Sequence, residues 1–147
     1  CPFRIRICRY PFLGALLVRG LNGFAGPAAR MAVHRPLTQA ARQGFLLPYD
    51  SWANRVAVWR FVRDIPLTSN HPSMPLLKET GESLSKYTQT PALACWGGRD
   101  FCFNEAFLRE WQARLPQLET NLYEDAGHYV LEDAGEKAIR AIQAFLG

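Results

Sequence analysis

Ala92-Leu93-Ala94-Cys95-Trp96-Gly97-Gly98-Arg99-Asp100 is the stretch that decides how this chain reads. Five apolar residues stand between Pro91 and a glycine pair. A run that short, bounded by chain breakers, predicts a strand covered on both faces, as in a parallel sheet. A second strand is predicted over Leu118 to Tyr123, where Leu118, Thr120 and Leu122 alternate with Glu119, Asn121 and Tyr123. Between the two, Asn104 is placed to cap a helix that carries Phe107, Leu108, Trp111 and Leu115 on one stripe. Asn70-His71-Pro72 opens an earlier helix that runs to about Tyr87, with Pro72 in its first turn. Leu131 to Leu146 reads as a closing helix with Gly135, Ala138, Ile139, Ile142, Phe145 and Leu146 on one face. The second half is therefore helix–strand–helix–strand–helix, an α/β pattern with a parallel sheet.

The first half supplies no strand. Pro11 to Val33 reads as one or two helices broken at Gly26-Pro27, and Leu37 to Phe45 as a short helix closed by Gly44. After a turn over Leu46 to Asp50, Asp50 or Ser51 is expected to cap a helix running to about Arg63. Trp52, Val56, Trp59 and Val62 or Arg63 share its face, and Ile65-Pro66-Leu67 ends it. Two parallel strands need neighbours along their edges. The expected architecture is thus the edge of a larger sheet, although 147 residues could make one domain. Residue 1 is Cys rather than Met, and the three Arg in Cys1–Tyr10 do not fit a signal peptide. A processed product or a piece of a longer chain is expected.

Composition narrows the classes. The chain is 48% hydrophobic and 20% charged, which excludes disordered and fibrous chains. The net charge of +4 divides unevenly: residues 1–67 carry ten Arg against two acids, and residues 68–147 carry seven basic against eleven acidic groups. The Arg are scattered among apolar residues and no nucleic-acid signature accompanies them, so no nucleic-acid partner is expected. Four Cys form no CxxC pair and point to reduced thiols and a cytoplasmic setting. No run is long enough to span a membrane. His34 and His71 have no partner at metal spacing, and no metal or cofactor is expected.

In parallel sheets, functional side chains stand just past the carboxyl ends of strands. The first strand ends there in Arg99-Asp100 and the second in Glu124-Asp125-Ala126-Gly127-His128. A carboxylate on one imidazole nitrogen fixes the tautomer and leaves the other nitrogen to act as base. Asp100 and His128 are the candidates for that pair. The glycines are expected to turn the backbone sharply and leave room for side chains.

Trp-Gly-x-x-Asp after one strand and Asp-Ala-Gly-His after the next resemble the C-terminal signature of the α/β-hydrolase fold. The resemblance implies a helical cap over residues 1–67, followed by the C-terminal part of the core over residues 68–147. Asp100 matches the family's acid and His128 its histidine. The family's nucleophile comes earlier in the chain, and no G-x-S-x-G or equivalent elbow is present. Leu47-Pro48-Tyr49, Arg55 and Phe61-Val62-Arg63-Asp64-Ile65-Pro66-Leu67 look like the cap exit of haloalkane dehalogenase-like enzymes. Pro48 to Arg55 together with Trp96 to Asn104 look most like the β-lactone decarboxylases of olefin synthesis.

By that resemblance, the whole enzyme uses an Asp nucleophile outside this chain on a small apolar substrate. His128, oriented by Asp100, then acts on water or aids breakdown of the intermediate. The chain alone is expected to be inactive. An esterase or epoxide hydrolase of the same fold, and a non-catalytic hydrolase-like binding protein, are the alternatives. A membrane-surface or partner-binding helical module using Phe12 to Phe24 and the Arg-rich half is a third class, and association with a pathway enzyme or with itself stays open.

Each residue also has a plainer reading. His128 can be a surface histidine, and Asp100 a carboxylate at a helix N-terminus. Phe101 and Phe103 either line the pocket or pack in the core. Trp52 and Trp59 either present an indole N–H to the pocket or are buried for area. Arg55 either bridges cap to core or is solvated. Asp125 and Glu124 read as turn residues.

Overall fold

The structure is a computed structural model that describes residues 3–147. The chain divides into two compact units, Cys1–Met31 with Leu37–Met74, and Ala32–Pro36 with Pro75–Gly147.

The first unit is helical: α1 (Phe3–Cys8), α2 (Pro11–Ala15), α3 (Ala25–Met31), α4 (Gln39–Leu46) and α5 (Val56–Asp64). The Cys1–Tyr10 segment, which carried no prediction beyond its unfitness as a signal peptide, contains α1. α2 continues into a π-helical turn over Leu16–Gly20, which ends where Asn22 takes a left-handed conformation at φ 50°. The break in this region therefore falls at residues 21–24 and not at Gly26-Pro27. Pro27 sits in the first turn of α3, where the missing N–H costs nothing. Thr38 caps α4 by accepting from Ala41 N, and Gly44 lies inside that helix instead of closing it.

α5 begins at Val56, later than expected. Residues 51–55 form turns in which Asn54 N donates to Ser51 Oγ and Asn54 Nδ2 to Asp50 Oδ1. Trp52 is therefore not on the α5 face with Val56 and Trp59. That face does bury Val62, fully enclosed with Val18 and Cys8, while Ile5, Phe24, Val58 and Trp59 pack around them. Enclosing a Val side chain of this kind is worth about 1.5–3 kcal/mol. Arg55 is neither solvated nor, in its hydrogen bonds, a bridge out of this unit. Its guanidinium donates to the carbonyls of Tyr49, Arg19, Gly20 and Asp50.

The second unit holds β1 (Ala92–Gly97) and β2 (Leu118–Tyr123), parallel and in register from Ala92 opposite Leu118 to Gly97 opposite Tyr123. α7 (Glu105–Arg114) crosses between them, capped by Asn104 Oδ1 accepting from Ala106 N. β1 is only half-buried, not covered on both faces, and Leu122 of β2 is exposed, so the expected alternation fails past Thr120. α6 (Met74–Ser83) starts later than predicted, with Pro75 and not Pro72 in its first turn, and tightens into a 3₁₀ turn over Leu84–Tyr87. Gln117 Nε2 donates to the carbonyls of Tyr87 and Thr90, tying the approach to β2 to the approach to β1. The closing helix is two pieces, α8 (Val130–Asp133) and α9 (Gly135–Leu146), broken at Ala134.

Candidate functional site

The loops that leave β1 and β2 are knitted together by their main chains. Gly98 N donates to Tyr123 O, Arg99 N to Ala126 O, and Ala126 N turns back on Tyr123 O. The backbones touch at Gly97, where a Cβ would stand 2.2 Å from Gly127 O and 2.6 Å from Ala126 O. None of these glycines has a positive φ, so close approach and not a sharp turn demands them. Gly97→Ala is expected to force the two loops apart and to cost about 3 kcal/mol, read as a lowered midpoint in denaturant unfolding.

Asp100 is buried at the end of the β1 loop, and both of its oxygens are used. Oδ1 accepts from Cys102 N at 2.7 Å and Phe103 N at 2.8 Å. Oδ2 meets His128 Nδ1 at 2.8 Å. Trp96 Nε1 fixes the same loop from below by donating to Phe103 O. If Asp100 accepts in this contact, the proton is on Nδ1 and Nε2 keeps its lone pair. Nε2 has no hydrogen-bond partner among the described residues, and the His128 side chain is 31% exposed. The rings of Phe103, Tyr129 and Phe101 surround it, with centroids at 5.4, 5.9 and 6.3 Å. The result is an imidazole with one nitrogen unpartnered among the described residues, on an apolar rim.

The neighbouring groups take other roles. Asp125 pairs with Arg99 at 3.0 Å, an exposed bridge between the two loops. Cys102 is no ready nucleophile: burial first, and the Asp100 charge second, hold its thiol above the usual value. Among the described residues, no three metal-binding side chains cluster. No described helix is long and apolar enough to cross a membrane.

Of the candidates named from sequence, the structure brings Asp100, His128, Phe101 and Phe103 together in the second unit. Trp52 and Trp59 belong to the first unit. Trp52 is half exposed under the Arg19 guanidinium at 4.4 Å, and Trp59 joins the core, with its indole N–H buried and without a partner among the described residues.

Sequence reasoning missed Asp133. Its Oδ2 accepts from Gly127 N and His34 N, both at 2.7 Å, and its Oδ1 from Arg35 N at 2.8 Å. The sequence signal was a carboxylate five positions past His128, which read only as part of the closing helix. Burial pushes this carboxyl up, but the amides of Arg35, His34 and Gly127 outweigh it and hold it below the usual range. A depressed folded value stabilises the fold fully above the ordinary carboxylate pKa. That stability is lost as pH falls through the depressed value. The melting temperature is therefore expected to fall below roughly pH 4, with a shallower fall in Asp133→Asn.

No protein-family model matches the chain. It is 39% identical over 146 residues to the cis-3-alkyl-4-alkyloxetan-2-one decarboxylase of Shewanella oneidensis, covering 99% of this chain and 46% of that protein. The enzyme of the same name from Xanthomonas campestris is 39% identical over 145 residues, covering 99% of this chain and 48% of that one. Among solved structures, it is similar to the haloalkane dehalogenase DatA of Agrobacterium tumefaciens, with TM-score 0.83 and 23% identity over 97% of this chain and 49% of that one. A loop variant of the haloalkane dehalogenase DbeA of Bradyrhizobium elkanii gives TM-score 0.85 and 21% identity over 96% and 46% of the two chains. The chain thus spans about half the length of the relatives it matches. Its fold is that of the α/β hydrolases; in sequence the chain is similar to the two decarboxylases, and in structure to the two dehalogenases.

Proposed function

We propose that Asp100 and His128 are the acid–histidine pair of an α/β-hydrolase-fold enzyme that decarboxylates an apolar β-lactone. The 2.8 Å contact between Asp100 Oδ2 and His128 Nδ1, with Nε2 open beside Phe103, carries this reading. The lactone follows from two relatives whose names specify a 3,4-dialkyl oxetan-2-one. Loss of carbon dioxide from such a ring breaks its C4–O and C2–C3 bonds and leaves C3 and C4 doubly bonded. Atoms and electrons balance with no co-reactant. The nucleophile, an aspartate in this reading, comes from polypeptide outside these residues. That carboxylate attacks C4 and breaks C4–O, giving an ester and a free carboxylate; loss of carbon dioxide then breaks C2–C3, forms the C3–C4 double bond and expels the aspartate, a breakdown that His128 assists with no net proton gained or lost. Phe101 and Phe103 line the apolar pocket, and the setting is cytoplasmic.

The test offers a cis-3,4-dialkyl oxetan-2-one to the enzyme that unites this chain with its nucleophile. Equal release of carbon dioxide and alkene is expected, with none from the 147-residue chain alone. Halide release from a haloalkane without lactone turnover would move the reaction to dehalogenation. Turnover of simple esters alone would make it an esterase, and turnover of nothing would leave a binding protein.

A further inference from the structure

The segment Ala32–Pro36 belongs to the second unit, although its chain neighbours Met31 and Leu37 belong to the first. Both residues flanking His128 are tied to it. Tyr129 N donates to Ala32 O at 2.7 Å. Gly127 N donates to Asp133 Oδ2, which also takes His34 N, while Oδ1 takes Arg35 N. Gly127 lies so close to the segment that a Cβ there would stand 2.8 Å from Ala32 O. His128 is thus bracketed: its main chain is held on the Tyr129 side by a backbone bond, and on the Gly127 side through one carboxylate.

We propose that Asp133 is a positioning residue for the reaction assigned above, locking the His128 main chain to Ala32–Pro36 so that Nδ1 stays on Asp100. The proposal rests on that functional reading. Asp133 precedes α9, where a carboxylate commonly caps a helix. Among the described residues its oxygens accept from no α9 amide, and their three bonds go to Gly127, His34 and Arg35. With the backbone clamped on both sides, the imidazole keeps only its side-chain torsions, and Asp100 fixes those. Without Asp133, three amides lose their acceptor at once and the loop can drift. A displacement of about 1 Å at a catalytic group can cost about 100-fold in rate.

The experiment compares Asp133→Ala and Asp133→Asn in the turning-over enzyme, with His128→Ala alongside. Asp133→Ala is expected to lower kcat about 100-fold with KM within about twofold. Asp133→Asn, which keeps one acceptor oxygen, should recover about tenfold of that loss. In the 147-residue chain, the His128 Nδ1 proton should exchange with water at least about tenfold faster in Asp133→Ala, as its bond to Asp100 loosens. An unchanged kcat in Asp133→Ala, while His128→Ala is dead, would overturn the proposal. If His128→Ala keeps full turnover, the functional reading fails, and the Nδ1 exchange rate alone decides the role of Asp133. Should the Ala variant not fold, amide exchange in the unaltered chain decides. Gly127, His34 and Arg35 are expected to be protected together, and free-loop exchange at any of them overturns the clamp.

Discussion

His128→Ala in the turning-over enzyme is expected to lower kcat by about 10⁴-fold and to leave KM within a few-fold. The imidazole touches Asp100 and an aromatic rim, and its Nε2 is held for the reacting groups by no other described residue. Its removal takes the base without unmaking the loop, since Gly127 and Tyr129 are anchored by their own amides. Substrate should still bind and react with the nucleophile, so a covalent intermediate is expected to accumulate, visible as an added mass on the protein. Steady turnover at the unaltered rate would remove His128 from the mechanism.

Asp100→Asn is expected to be nearly as damaging to rate while keeping the fold. The two carboxylate oxygens have separate duties: Oδ1 holds the Cys102 and Phe103 amides, and Oδ2 holds His128. An Asn can keep its oxygen on the two amides and so preserve the turn. Its NH₂ then faces Nδ1 and donates to it. That donation moves the imidazole proton to Nε2 and removes the lone pair that does the work, a loss of about 10⁴-fold where such a swap is made in a catalytic triad. Asp100→Ala behaves differently. It strands two part-buried amides and is expected to cost about 1–3 kcal/mol of stability as well as the activity. Parallel kcat and denaturation measurements separate the two variants. Equal stability losses would mean that the oxygens do not divide their work in this way.

The strands and the pair at their ends were legible in the sequence because they depend on short-range signals. Pro91 and Gly97-Gly98 bound β1, the apolar residues between them fix it, and Asn104 announces α7. Boundaries failed where a breaker could be absorbed. Pro27 fits the first turn of α3, Gly44 is tolerated inside α4, and Ala134 interrupts a periodic run with no glycine or proline to mark it. The burial of β1 was overread, since its continuous apolar run predicts cover that the described residues do not provide. The glycines were noticed for the wrong property. A Cβ at Gly97 is forbidden by Gly127 and Ala126, about thirty positions away, which no local pattern shows. Asp133 was hidden for the same reason. Its amide partners at His34 and Arg35 lie 99 and 98 positions upstream.

The claim on which all of this turns is that Asp100 holds His128 with the proton on Nδ1 and the lone pair on Nε2. Histidine-selective ¹⁵N NMR reads the tautomer directly, and the chain holds only three His to resolve. At a pH where His128 is neutral, an Nδ1–H signal is expected, with Nε2 bare, and the tautomer should reverse in Asp100→Asn. A neutral His128 carrying its proton on Nε2 in the unaltered chain would contradict the account.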